Sequence, residues 1–372
     1  MMKDKNVYIQ TQAVCKDEEG NFWFTSNSFN ALFFLSVKTL KIEYVTSFDE
    51  TDNYSGSLYT RAYYYKGKIL LIPCVAEHIA IYDIAKKSIR YVYIEKEYIS
   101  YNCTMLEEGK LLMFPAVLLG YAWFFSFEQE KIVKIPVQMN CQKDVIVHNS
   151  IDFLGTGKKG DNCLYVTPGY SQLAYFNIKT FKLTIEKVEG IEKLFATYGT
   201  NTFDACKVLS ASDNKVIIID EYDNKQVELP YKYRTTIIPQ YGSMAYTRIV
   251  HVEKAGDIVI PVRGNQIRII ENNKTLGVID WNNIHGLSKN AQPFVDVLES
   301  NNKVFFFPYE CDTLLIYDIE KNDFKYIDFR LSYEEYHQII TEFEDSKDSA
   351  FQRTEIKDTL DLAWFIDYVR RM

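Results

Sequence analysis

The residues with the most chemistry to offer are five histidines (His78, His148, His251, His285 and His337), seven cysteines and a Tyr-Thr-Arg triplet that occurs twice in 372 residues. Zinc and catalytic-base chemistry need such side chains at fixed spacing, as in His-Glu-x-x-His helices or Cys-x-x-Cys pairs. Neither spacing occurs. The sharpest catalytic reading is a site assembled from loops. His78, His148 and His285 each precede or sit in a loop on one face of the fold derived below, where they would hold an ion that activates water or act as a base. Single loop histidines are mostly solvated or hydrogen bonded, so the sequence assigns no metal, no cofactor and no catalytic residue beyond those three candidates. Gly-x-Ser-x-Gly is absent. Gly155-Thr156-Gly157-Lys158-Lys159-Gly160 has the look of a phosphate loop but lacks Walker spacing and a following helix, and it reads as a hairpin turn.

Cysteines 15, 74, 103, 141, 163, 206 and 311 are scattered, odd in number and never in a Cys-x-x-Cys pair, and five of them lie next to apolar residues in strand-like runs, where buried free thiol is the simplest reading. The N-terminus has no apolar stretch of signal-peptide type, and no run approaches a membrane span. These features predict a reducing, cytoplasmic setting. A net charge of −8 without a basic run lacks the surface that neutralises phosphates or docks on anionic lipid, so neither nucleic acid nor membrane is an expected partner.

The elements that would position any site are strands. Aromatic residues make up 15% of the chain, with 28 Tyr and 24 Phe against 16 Gly and 9 Pro, and aromatic side chains suit pleated, half-buried surfaces. One unit recurs: an apolar run, a turn, an alternating run often ending near Asp-Ile, a polar break and a third run. Its copies begin at residues 22, 69, 111, 163, 216, 258 and 304, spaced 42 to 53 residues apart. A further strand-like run precedes each, as at 58–65, 245–252 and 294–299. Four strands per unit at a period of about 40–50 residues is the pattern of a propeller blade. The prediction is an all-β single propeller over 1–330 with seven four-stranded blades, the fifth short and open to lacking a regular fourth strand. Pro73, Pro115, Pro168, Pro261 and Pro308 share a register within one residue, where a strand exits and no ladder N–H is needed. A sandwich does not require that coincidence. With all four strands of each unit consecutive, no N-terminal strand is left to clasp the last blade, and closure is expected from packing between first and last blades. Residues 331–372 read as a polar linker and a C-terminal helix. Leu362, Phe365, Ile366 and Val369 lie at helical spacing, as a cap on the disc or a docking helix for a protein partner.

Leu164-Tyr165-Val166-Thr167 with Leu173-Ala174-Tyr175-Phe176-Asn177 resembles the YVTN-type propeller repeat. Asp17 through Thr25 (DEEGNFWFT) resembles the Asp-x-x-Gly-Asn-x-Trp-x-x-Thr repeat of bacterial regulatory propellers, and the blade length is similar to that of kelch proteins, without their paired glycines. The resemblance covers about 320 residues as repeat pattern only. It implies a propeller and carries no catalytic residue across.

In a propeller, the starts of the inner strands and the loops from second to third strand share one face. The register nominates Tyr59-Thr60-Arg61, Tyr101-Asn102-Cys103, His148-Asn149-Ser150, Phe203-Asp204-Ala205 and Tyr246-Thr247-Arg248 for a ring about its mouth. The loops add Asn27, Glu77, His78, Tyr170, Gln172, Tyr222, Arg263, Tyr309 and Glu310. Arg forks to carboxylate or phosphate, and Tyr offers an apolar body with a polar tip. The expected ligand contacts are Tyr59, Arg61, Tyr101, Asn102, His148, Asn149, Tyr246, Arg248, Arg263 and Tyr309. The expected partner is a small polar ligand, glycan or peptide. Alternatively, Arg61 and Arg248 form ion pairs between blades, with neighbours such as Asp204 or Glu77. The leading reading is a binding propeller; the runner-up is a lyase or hydrolase acting on carbohydrate or peptide-like substrate through one of the loop histidines.

Overall fold

The computed structural model describes residues 7–26, 29–49, 58–94, 101–106, 109–115, 120–141, 154–159, 161–166, 172–187, 194–195, 206–210, 215–219, 224–228, 246–261, 264–287, 292–332 and 334–337. A short strand β1 (Val7–Tyr8) precedes the repeating sheets. Sheet I contains β2 (Thr11–Lys16), β3 (Phe22–Ser26), β4 (Ala31–Leu35) and β5 (Ile42–Ser47). Sheet II contains β6 (Tyr59–Tyr65), β7 (Lys68–Pro73), β8 (His78–Asp83) and β9 (Ser88–Tyr93). Sheet III contains β10 (Tyr101–Leu106), β11 (Lys110–Pro115), β12 (Tyr121–Ser126) and β13 (Lys131–Pro136). Sheet IV has β14 (Gln138–Cys141) on its outer edge, parallel to β18, with β15 (Leu154–Lys159), β16 (Asn162–Val166), β17 (Gln172–Asn177) and β18 (Lys182–Lys187).

Sheet V is formed by β19 (Leu194–Phe195), β20 (Cys206–Ser210), β21 (Lys215–Ile219) and β22 (Asn224–Glu228). Sheet VI contains β23 (Tyr246–Val252), β24 (Gly256–Pro261), β25 (Gln266–Ile269) and β26 (Thr275–Val278). Sheet VII contains β27 (Phe294–Ser300), β28 (Lys303–Pro308), β29 (Thr313–Asp318) and β30 (Asp323–Asp328), and β31 (Arg330–Leu331) follows it. Six sheets thus repeat the full antiparallel meander of four consecutive strands. Sheet V departs from it. Its fourth member among the described residues is the two-residue β19, paired to the inner strand β20, rather than an outer strand after β22. Seven equal four-stranded units were therefore too regular an expectation, because the fifth copy is the short one.

The second strands are continuous apolar runs because both of their faces are buried between neighbours. Phe22 and Phe24 of β3 pack on Phe305 and Phe307 of β28, with Phe22–Phe305 ring centroids 4.7 Å apart. Trp23, the residue between them, turns the other way to join Ile69, Leu71 and Tyr82 of sheet II. Leu70 and Ile72 meet Leu111 and Met113 of sheet III, whose Leu112 and Phe114 meet Cys163 and Phe176 of sheet IV. Ile258 and Ile260 of sheet VI face Val304 and Phe306 of sheet VII. Sheet V stands between IV and VI, its β20 beside β15 and β23.

Closure uses more than the expected packing of first sheet on last. β1 pairs with β31 (Val7 opposite Leu331, Tyr8 opposite Arg330), and Ile9 N donates to the Phe329 carbonyl at 3.1 Å. Lys16 Nζ reaches the Glu299 carbonyl at 2.7 Å, and Ser300 Oγ donates to the Gly20 carbonyl at 2.8 Å. Gly20 has φ +84°, and a Cβ there would sit 2.5 Å from Ser300 Oγ, so this approach needs glycine.

The hairpins from third to fourth strand show why so few glycines suffice. Ser36, Asp83, Ser126, Asn177 and Asp318 each accept a hydrogen bond from a backbone N–H three residues on. Four residues after each stands a non-glycine residue with φ between 49° and 57°: Leu40, Lys87, Glu130, Phe181 and Asn322. The side-chain cap offsets the cost of that left-handed residue. The Asp17–Thr25 motif does the same between β2 and β3. Asp17 Oδ1 accepts from Glu19 N and Asn21 N, and its Oδ2 accepts from Trp23 Nε1 at 2.9 Å.

Gly155–Lys159, read from sequence as a turn, is the inner strand of sheet IV. Glycines are admitted in a strand where the backbone bulges or crowds another chain segment; here the ladder slips between Gly155 and Gly157. Cys15, Cys74, Cys163 and Cys311 are free thiols. Burial, aided by the Asp17 charge, pushes the Cys15 thiol far above its ordinary range. Among the described residues no helix is long and apolar enough to cross a membrane. The proposed helix at 357–371 lies outside the described residues.

Candidate functional site at the mouth of the ring

One end of the ring gathers the starts of the inner strands, the ends of the second, the starts of the third and the ends of the fourth. An aromatic residue opens the inner strand opposite the terminal proline of the second strand in four sheets: Tyr59 opposite Pro73, Tyr101 opposite Pro115, Tyr246 opposite Pro261 and Phe294 opposite Pro308. The proline ends the ladder at no hydrogen-bond cost. In three of these sheets the register then slips, leaving one extra residue on the inner strand: Thr60, Thr247 and Val295. Sheet IV does so at Thr156, and sheet I slips between Thr11 and Val14.

The bulge decides where the opening aromatic points. Along β6, Ala62 and Tyr64 face sheet I while Tyr63 and Tyr65 face sheet III. Strict alternation would put Tyr59 on the side of Tyr63. The extra residue reverses the parity, so Tyr59 is fully buried on the sheet I side, its ring 4.9 Å from Phe48. Phe294 is turned likewise toward sheet VI, stacked 6.3 Å from Trp281. Tyr59 is thus a wedge between sheets, with no ring surface to offer a ligand.

Thr60 and Arg61 occupy the bulge and the position after it. Arg61 is half-buried, and its Nη1 donates to the Thr60 carbonyl at 3.2 Å. Arg248 stands in the equivalent place, opposite Ile260 as Arg61 is opposite Ile72. The third member of that set is Asp296, opposite Phe307, whose Oδ1 accepts from Val297 N at 2.8 Å. Sequence reasoning missed Asp296 because the triplets of sheets I and VII were not aligned with the others. The described inner strands of sheets IV and V begin at Leu154 and Cys206, and His148–Ser150 and Phe203–Ala205 lie outside the described residues. His148, Asn149, Arg263, Asn27, Tyr170 and Tyr222 lie outside the described residues. Tyr101 and Asn102 open β10, and Tyr246 opens β23 with Arg248 two residues on. Tyr309 is half-buried there, its N–H donating to the Pro293 carbonyl at 2.9 Å, and the Glu310 carboxylate accepts from Gln292 N.

The mouth also holds buried polar atoms with no hydrogen-bond partner among the described residues: Thr11 Oγ1, Gln12 Oε1, both amide atoms of Asn30, Thr60 Oγ1, Gln172 Oε1 and Asn265 Oδ1. Thr11 is 0%, Asn30 3% and Gln172 5% exposed. All six residues lie at this one end: Thr11, Gln12 and Thr60 at inner-strand starts, Asn30, Gln172 and Asn265 at third-strand starts. An unpaired buried polar atom costs about 1–3 kcal/mol, so a set of them at one end of the fold has a use for a partner that the described residues do not supply. At the opposite end, by contrast, Asp17, Asp83, Asn177 and Asp318 are engaged by the turns they cap.

The described candidate histidines sit away from the inner strands. His78 opens β8, the third strand of its sheet, with its ring 6.0 Å from Tyr91 and 5.8 Å from Tyr93. His285 Nδ1 is 3.2 Å from Asp328 Oδ1, at the end of the outermost strand β30. Nearby, burial pushes the Asp312 carboxyl upward, against the lowering influence of His285. Among the described residues no group of three His, Cys, Asp or Glu side chains is set to hold a metal ion.

The chain is a β-propeller. No family model matches its sequence, and no curated protein matches it either. Solved structures do match in fold. Virginiamycin B lyase from Staphylococcus aureus superposes with a TM-score of 0.61 at 12% identity, covering 83% of this chain and 97% of that one. A streptogramin B lyase gives 0.60 at 12% identity over 83% and 94%. The extracellular domain of a hybrid two-component system from B. thetaiotaomicron gives 0.53 at 8% identity, over 82% of this chain and 39% of that one. Identities this low show the fold alone.

Proposed function

We propose that the protein is a binding propeller that takes a small polar ligand, glycan or peptide at the mouth of the ring, each of the seven sheets serving as one blade. The observation that carries this reading is the set of buried polar atoms at Thr11, Gln12, Asn30, Thr60, Gln172 and Asn265, which have no hydrogen-bond partner among the described residues and share one end of the fold. Arg61 and Arg248, at equivalent places after their bulges, would fix the ligand's orientation at the rim, with Tyr101, Asn102, Tyr246 and Tyr309 completing it. A thermal-shift screen of sugars, acidic metabolites and short peptides tests the reading. The hit should lose its effect in the Arg61→Ala/Arg248→Ala double variant while the unliganded melting temperature stays nearly unchanged. A large stability loss in that variant would assign the arginines to ion pairs between sheets instead.

The competing reading is a lyase or hydrolase using His78, His148 or His285. Its support is the fold shared with lyases. Stoichiometric Zn, Mn or Ca in the purified protein, removed by changing those histidines, would favour it over simple binding.

A further inference from the structure

Sheet V differs from the others at the axis of the ring. The inner strands β2, β6, β10, β15, β23 and β27 each pair on one edge only among the described residues, and the edge that faces the channel carries no strand. β20 is the inner strand of sheet V, standing beside β15 and β23, and it is paired on both edges. β21 takes the outer edge, and β19 takes the edge that faces the channel. Leu194 lies opposite Ser210 and Phe195 opposite Leu209, antiparallel, at the end of β20 away from the mouth. The chain is therefore at the mouth at Lys187, deep in the channel at Leu194–Phe195, and at the mouth again at Cys206. Along Cys206–Val208, between β19 and the mouth, the channel-facing edge of β20 has no paired strand among the described residues.

We infer that the channel-facing edge of β20 is a strand-pairing site for an extended peptide, held in the unliganded chain by its own β19. The site lies on the channel wall, below the rim residues proposed above, and goes beyond that reading. Every second residue of an antiparallel strand turns both its N–H and its C=O toward the same neighbour. The edge therefore presents a donor and an acceptor together at intervals of about 7 Å. An extended backbone repeats that spacing and polarity, whereas a sugar ring does not and an anion only accepts. β19 is the observed instance, an extended segment seated antiparallel on this wall. Its hold is weak enough to exchange, since a two-residue ladder makes about two hydrogen bonds worth about 0.5–1.5 kcal/mol each. A peptide entering at the mouth would pair first along Cys206–Val208. Running deeper, it would take the place of Phe195 and then of Leu194.

The test is fluorescence anisotropy with a labelled synthetic peptide of the chain's own sequence 190–199, against the full chain and three variants of it. Leu194→Pro/Phe195→Pro removes the N–H groups of β19 and should free the edge. A tethered strand competes at an effective concentration of millimolar order, so this variant should bind the peptide about tenfold tighter than wild type, or better. Leu194→Cys/Ser210→Cys puts thiols on directly opposed residues, within disulfide reach, and peptide mapping identifies the bridge. The bridged form should lose the binding that the reduced form keeps. Arg61→Ala/Arg248→Ala should bind the peptide as wild type does. Binding by the proline variant no tighter than by wild type would overturn the inference, and so would binding indifferent to the bridge. The bridge comparison is made on one protein and decides the matter if the proline variant does not fold. Loss of peptide binding in the arginine variant would also overturn it, by moving the peptide to the mouth and leaving that site standing.

Discussion

Two threonines a few ångströms apart in the same ladder should respond to the same substitution with opposite signs. Thr11 and Thr25 are both buried at the mouth end of sheet I, at 0% and 3% exposure. Thr25 Oγ1 accepts from Ala13 N at 3.2 Å, satisfying a backbone donor that the bulge between Thr11 and Val14 releases from the ladder. Thr11 Oγ1 has no hydrogen-bond partner among the described residues. Replacing either by Val keeps the branched shape and removes the hydroxyl. At Thr11 this deletes an unsatisfied group and should stabilise the unliganded protein by about 1–3 kcal/mol; at Thr25 it strands Ala13 N and should cost about the same. With an unfolding entropy of about 2.1 cal/mol/K per residue, that is a shift of roughly 1–4 °C upward for Thr11→Val and downward for Thr25→Val. Thermal and urea unfolding of the two variants against wild type, without ligand, makes the measurement. Destabilisation by Thr11→Val would refute the reasoning, since its hydroxyl would then be held by a water that belongs to the folded state.

Two further outcomes follow from burial. Tyr59→Ala, which empties a fully buried site against Phe48, should cost about 3–5 kcal/mol in chemical denaturation; a change under about 1 kcal/mol would put the ring at the surface and restore it as a ligand contact. Asp312→Asn bears on pH. Burial raises the Asp312 carboxyl above its unfolded value, so the folded state holds that proton more tightly, and stability falls as pH rises through the window just above the ordinary carboxylate range. The Asn variant should therefore gain modestly over wild type at neutral pH, with the difference vanishing near pH ~4, about the unfolded carboxylate value. A loss at neutral pH would mean that the ionised form is used, with His285 as its partner.

The repeat was legible because burial on both faces writes itself into composition. Runs such as Ile69–Ile72 and Val304–Phe307 need apolar residues at every position, and each anchor of the repeat falls in or beside a second strand. The prolines were legible for the same local reason, since a missing N–H restricts them to strand ends. The mouth was less so. A bulge is a ladder property, and nothing in Tyr59-Thr60-Arg61 announces that the extra residue turns Tyr59 inward. Spacing from the anchor did hold a usable signal. Tyr59, Tyr101 and Phe294 each stand 10 residues ahead of theirs and Tyr246 12, whereas His148 stands 15 ahead and Phe203 13. Applying the distance of 10 to the first copy leads to Gln12, beside Thr11. Their lack of partners depends on tertiary placement, which no spacing reveals.

The seam between sheets I and VII sets an order of events for the growing chain. Phe22 and Phe24 emerge early, yet the surface that covers one side of them, Phe305, Phe307 and Phe329, lies some three hundred residues downstream. Until that segment arrives, the first sheet shows a naked aromatic wall, the kind of surface on which unfinished chains adhere to one another. Joining ends so distant is entropically late, and the two-residue pairing of β1 with β31 can form only after it. The knot is tied last, and an interrupted synthesis leaves a sticky crescent where the finished molecule has a ring.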